Sequence, residues 1–307
     1  MRAALRALLN GFIDYAGLFP PAKLPLDQAF ANFLRYRREK DAWMLRTFVC
    51  PVDRLHELVP MLDDGPPVPL AVLGKGGATP REYLENFQTD LHALRALPEK
   101  KFTVHSYELK MPDYLLDWPQ VHIKTMFDGS SALFSMAGRP EVHIFVEAKF
   151  KRFQDLAPLI ENMHDQHLSG YKLRCGGASG ADIPAPEVVA FTLSLCQSSK
   201  VPMKFTAGLH HPFRHHNQGL NAQLHGFLNV YVACVLAQAR KLELPVIEKI
   251  VADEDKSHFQ FDDDGLAWQD VRASVREVET ARKTFVTTLG SCSFDEPRED
   301  LRALGWL

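Results

Sequence analysis

The sequence predicts an α/β fold of the (β/α)8, TIM-barrel type, with residues 1–307 forming one domain. Short apolar runs of strand character alternate with helical patterns six or seven times along the chain. Alternation of this kind calls for parallel strands joined by helical crossovers. No internal repeat, low-complexity tract or Ser/Gly linker divides the chain. A length of 307 residues would permit two domains, but α/β barrels routinely hold about 250 residues in one unit. An open doubly wound sheet is the competing arrangement.

Residues 1–40 are read as an N-terminal extension. Within it, Asp14-Tyr-Ala-Gly-Leu-Phe-Pro-Pro21 is an apolar, proline-stiffened segment, suited to plug the barrel bottom. The other reading is a lid that brings Asp14 or Tyr15 to the site. The first strand is expected at 43–49, with a helix over 52–62 behind Pro51. A strand over 68–73 leads into a glycine-rich turn and a helix with Thr79 as N-cap and Pro80 as first residue. Strands follow at 102–107, 121–127 and 142–147, then a helix over 153–164. The strand 171–174 runs into Cys175-Gly-Gly177, and Pro186 opens a helix to about 196. The strand 201–206 runs into Ala207-Gly-Leu-His-His-Pro212, and a long helix is expected over 220–239. The stretch 242–264, with its acidic loop Asp262-Asp-Asp264, makes an irregular seventh unit. A last strand at 285–289 and a helix at 297–304 close the chain.

The composition narrows the function classes. Lys and Arg number 35 and Asp and Glu 38, a net charge of −3 that disfavours a nucleic-acid binder. Hydrophobic residues are 46% and charged residues 24%, as in a folded soluble chain and not a disordered one. The five cysteines are odd in number, and no two are spaced Cys-x-x-Cys. Free thiols and a cytoplasmic location are therefore expected. Arg2 and Arg6 give the start a superficial likeness to a leader, but Asn10 and Asp14 break the apolar run. The longest apolar stretch, 226–239, contains Asn229 and falls short of the ~20 residues that cross a bilayer.

The strand ends carry the chemistry. Side chains alternate between the faces of a strand, so Lys172 and Arg174 share one face, and Lys204 and Thr206 another. His143, Phe145 and Glu147 likewise share a face, and Arg46 opposes Leu45 and Thr47. In a barrel the polar faces would meet at the C-terminal mouth, where such folds hold their active sites. Three cations beside one carboxylate would leave a surplus of positive charge, best matched by a substrate carboxylate or phosphate. Gly176, Gly177 and Gly208 let backbone N–H groups approach that anion, and Ser291 lies in a third such turn. The neighbouring cations would lower the pKa of Lys204 and free its amine for a Schiff base. Glu147 and His210 are the candidate acid and base, and His211 a further substrate contact. Adjacent histidines on an extended segment point in opposite directions, so at most one of each pair should reach a given centre. Glu108 lies near a strand end with its facing undecided. Neither a metal nor an organic cofactor is expected.

The string Lys204-Phe-Thr-Ala-Gly208 resembles the Lys-x-Thr-x-Gly segment of class I aldolases of the deoxyribose-phosphate type. Lys172-Leu-Arg-Cys-Gly-Gly177 resembles that family's second lysine strand, in reversed order. FIDYAGLFPPA, WMLRTFV, YKLRCGG, FTAGLHHP and GSCSFDEPREDLRALG resemble segments of a bacterial family with no assigned activity, which implies a shared barrel and pocket. The expected function is an enzyme for a small phosphorylated or carboxylated metabolite, acting as a carbon–carbon lyase through a Schiff base on Lys204. A phosphoribosyltransferase-like barrel and a non-catalytic small-anion binder are the alternatives. The expected partners are the anionic metabolite and copies of the chain in a homo-oligomer, with no nucleic acid and no membrane.

Overall fold

The computed structural model describes residues 1–62, 64–111, 128, 141–150, 152–164 and 169–307. Eight parallel strands among them close into a barrel. They are β1 (Ile13–Tyr15), β2 (Leu45–Pro51), β3 (Val68–Leu73), β4 (Phe102–Lys110), β5 (His143–Glu147), β6 (Ser169–Arg174), β7 (Met203–Thr206) and β8 (Val286–Ser291). Each pairs with its sequence neighbours, and β8 closes on β1 through Asp14↔Gly290 and Tyr15↔Ser291. This is the (β/α)8, TIM-type barrel that the strand–helix alternation predicts, and closure decides against an open sheet.

Helices α1 (Ala3–Leu9), α2 (Leu26–Tyr36), α3 (Leu55–Leu58), α4 (Pro80–Arg95), α5 (Phe153–His164) and α6 (Pro186–Ser198) precede β7. After it come α7 (Phe227–Arg240), α8 (Leu244–Ala252), α9 (Val275–Thr284) and α10 (Asp295–Ala303). Phe48, Val72, Tyr107, Val146 and Tyr171 alternate with the interior residues of their strands and are buried in the main core. Each such burial contributes ~1.5–3 kcal/mol. Helix starts are set locally. Thr79 Oγ1 accepts from the Glu82 N–H at 3.1 Å ahead of α4, and Ser274 with Glu277 forms a capping box on α9. No described helix is long and apolar enough to cross a membrane.

The structure corrects several boundaries. Residues 1–40 are not an extension ahead of the barrel, because Ile13–Tyr15 is its first strand, paired with β2 and β8. The segment that follows does not plug the bottom; Ala16, Phe19, Pro20 and Pro21 line a cavity at the mouth. The helix expected over 52–62 is broken into a 3-10 turn, the four residues of α3 and a second 3-10 turn, Val59–Met61, containing Pro60. The helix expected over 220–239 begins only at Phe227. Asn221 has a φ of 45°, and a two-stranded ribbon, His215–Asn217 with Ala222–Leu224, stands before it. Gly226 permits that junction, since a Cβ there would lie 2.3 Å from Phe213 Cα. The irregular seventh unit holds α8 and an antiparallel sheet of Phe259–Phe261, Gly265–Trp268 and Val271–Ser274. The strand expected at 121–127 lies outside the described residues.

Candidate active site

Charged side chains from five strands, β1 and β4 to β7, meet inside the barrel. Lys172 on β6 and Lys204 on β7 are register partners, so their side chains enter the barrel side by side. The Glu108 carboxylate on β4 joins them: Oε2 lies 3.0 Å from Lys172 Nζ, and Oε1 contacts Lys204 Nζ. Lys204 Nζ also contacts Asp14 of β1, whose other oxygen accepts from Thr47 Oγ1. Glu147 at the end of β5 lies 3.3 Å from Lys172 Nζ and 3.0 Å from Arg174 Nε. The result is one chain of alternating charge: Asp14, Lys204, Glu108, Lys172, Glu147, Arg174.

Burial grades along this chain. The Lys204 side chain is 1% exposed, that of Lys172 10% and that of Arg174 44%. Burial disfavours the ammonium form of Lys204, but Asp14 and Glu108 outweigh it and raise its pKa. Burial likewise works against ionised Glu108, yet Lys204 and Lys172 hold its pKa down at about 2. Glu147 is lowered in the same way, with Lys172 and Arg174 overcoming its burial. The surplus of positive charge expected from the sequence is therefore not present in this chain of groups. Asp14 and Glu108 join Glu147, so three carboxylates balance three cations. Lys204 is held as a cation, contrary to the lowered pKa expected of it.

Above these groups opens a cavity of about 690 Å³. Glu108, Glu147, Lys172 and Arg174 line it, whereas Lys204 and Asp14 lie behind its wall. The loops after β6 and β7 contribute Gly176, Gly177 and Gly208, β7 contributes Thr206 and β8 Ser291. The two glycine loops touch. A Cβ on Gly176 would lie 2.7 Å from Gly208 Cα, and Gly208 itself has a φ of 72° beside Ala207 at 59°. Gly176→Ala therefore forces backbone against a methyl. It is expected to cost ~1–3 kcal/mol, read as a lower urea midpoint.

Most of the residues expected at the site are brought together. Glu147, Lys172, Arg174, Thr206, Gly176, Gly177, Gly208, His210 and Ser291 all border the cavity. His210 Nδ1 is 2.8 Å from Glu296 Oε2 of α10, which leaves Nε2 for proton transfer. Three expected residues do not border it. Arg46 is exposed near the start of β2, at the barrel end remote from the mouth. His211 does not line the cavity and pairs with Asp300 of α10 at 2.7 Å, one helical turn beyond the Glu296 that meets His210. Lys204 is at the site but not on the cavity surface.

Asp14 and Glu108 are the principal residues not assigned from sequence. Asp14 stands between Ile13 and Tyr15 in a strand too short to show a period, and Glu108 follows Ser106 on a face blurred by His105. Among the described residues no group of three His, Cys, Asp or Glu side chains is arranged to hold a metal ion; the acids converge on ammonium groups instead. All five cysteines are free and buried. The chain matches no protein-family model, and no curated protein matches it.

Proposed function

We propose that this protein is a carbon–carbon lyase that works through an imine, on a small carbonyl compound bearing an anionic group. The observation that carries this reading is the pair of adjacent lysines, Lys172 and Lys204, sharing Glu108 at the mouth of a barrel. In this reading Lys172 is the nucleophile, because it faces the cavity while Lys204 lies behind it. Lys204, held charged by Asp14 and Glu108, is a fixed cation beside the reacting amine.

The chemistry balances with groups in the chain and water. Lys172, which lines the cavity, first loses a proton to water, with Glu147 3.3 Å away. Its free electron pair then attacks the carbonyl carbon, and the carbinolamine loses water to form the iminium. The neighbouring C–C bond breaks into the iminium as a hydroxyl proton leaves to Glu147 or His210, giving an enamine and a free carbonyl fragment. The enamine takes a proton on carbon, and one water hydrolyses the iminium and restores the amine. Arg174, which meets Glu147 through Nε, points its half-exposed guanidinium at the anionic group, with the Gly176 and Gly208 backbone beside it. Phosphoribosyl transfer is less well supported, because the carboxylates that would gather a divalent cation are neutralised by lysines.

Trapping tests the reading. Hexanal with sodium borohydride should leave one reduced adduct, mapped by peptide mass to Lys172. An adduct on Lys204 would return the nucleophile to the position first suggested by the sequence. Modification of surface lysines alone would remove the imine mechanism and leave an anion-binding protein.

A further inference from the structure

The cavity wall is divided into two unlike halves. From β4 to β7 it carries Glu108, Glu147, Lys172 and Arg174. From β1 to β3 and their following loops, Ala16 round to Gly74, the described lining residues have no polar side chain. There Ala16, Val49 and Ala71 form a small apolar cluster separate from the main core, with Phe19 and Leu73 packed on it. Pro20 and Pro21 also lie on this side and have no N–H to offer. Across the mouth, Leu220 and Leu224 of the ribbon that follows β7 face the same space.

We propose that this half is a subsite for a hydrophobic body on the substrate, so that the molecule processed is an aliphatic or aromatic carbonyl compound with one anionic group. This deepens the lyase reading and rests on it for the reacting end. A polyhydroxylated or sugar-phosphate substrate would set its hydroxyls against Phe19, Val49 and Leu73, where none of the described lining side chains accepts or donates. A hydrocarbon loses nothing there and gains by leaving water. The volume of about 690 Å³ is in the range of small-molecule sites and exceeds what a three-carbon fragment fills.

The probes are straight-chain carboxylates from acetate to octanoate, with inorganic phosphate, titrated into the full-length protein. Octanoate should bind at least about 30-fold more tightly than butyrate, since each fully buried methylene is worth roughly fourfold. Phe19→Ser and Leu220→Ser, two partly exposed loop positions, should each flatten that dependence; having two guards against one misfolded variant. Affinity that does not change with chain length, or phosphate binding above octanoate, overturns the subsite. A steep dependence unaffected by both variants overturns it too, by locating the binding elsewhere. A steep dependence that both variants flatten, with no borohydride adduct, upholds the subsite while the imine mechanism alone fails.

Discussion

Replacing Lys172 with arginine is expected to abolish imine chemistry while leaving the barrel folded. Arginine keeps the positive charge between Glu108 and Glu147, so neither carboxylate is left unpaired. Its guanidinium stays protonated and cannot add to a carbonyl. The readout is protein-dependent exchange of the α-hydrogens of hexanal for deuterium in D2O, which passage through an enamine accelerates. Exchange should fall by at least about a thousandfold, ~4 kcal/mol of transition-state stabilisation, with an unchanged far-UV spectrum. Retention of more than a tenth of the exchange rate would show that Lys172 is not the nucleophile. Retained folding is part of the test, because Lys172→Met removes a cation from two buried acids and confounds activity with stability.

The parts of this site that were legible in the sequence are those governed by the two-residue period of a strand. Lys172 with Arg174 and Lys204 with Thr206 declare a common face because their neighbours Tyr171, Leu173, Met203 and Phe205 are apolar and buried. The glycine turns after β6 and β7 are visible for the same local reason: nothing else fits where two loop backbones approach. Charge balance is a different kind of information. It depends on which acid on a distant strand reaches each lysine, and Asp14 lies 190 positions from Lys204. Glu108 belongs to a strand whose residues 105 and 106 are both polar, so its facing is fixed only by pairing Glu108↔Phe145 across the sheet. Arg46 misleads because the strand runs on to Pro51, which moves the mouth five residues beyond it. The expected anion-seeking surplus counts the cations on the legible faces of β6 and β7 but not the acids of β1 and β4 that reach them from distant parts of the chain.

The largest stability effect is expected at Lys204. Lys204→Met leaves Asp14 and Glu108, each with a side chain 2% exposed, without their shared cation. Removing one partner of a buried ion pair typically costs ~3–5 kcal/mol. The downward shift of Glu108 from 4.5 to about 2 corresponds to a contribution on the order of 3 kcal/mol, of similar size. Because its folded pKa is depressed, Glu108 stabilises the wild type above pH 4.5 and ceases to do so as pH falls to about 2. In the variant, burial is opposed by Lys172 alone, so the Glu108 pKa rises and less stability remains to be lost on acidification. Urea unfolding should therefore show the widest gap between the two proteins near pH 7, closing steadily below pH 4.5. Adding Asp14→Asn and Glu108→Gln to Lys204→Met should recover much of the loss at pH 7, since the buried groups are then neutral. A gap that stays constant with pH, or a triple variant no more stable than the single one, would mean that Lys204 supports the barrel through packing and not through its two acids.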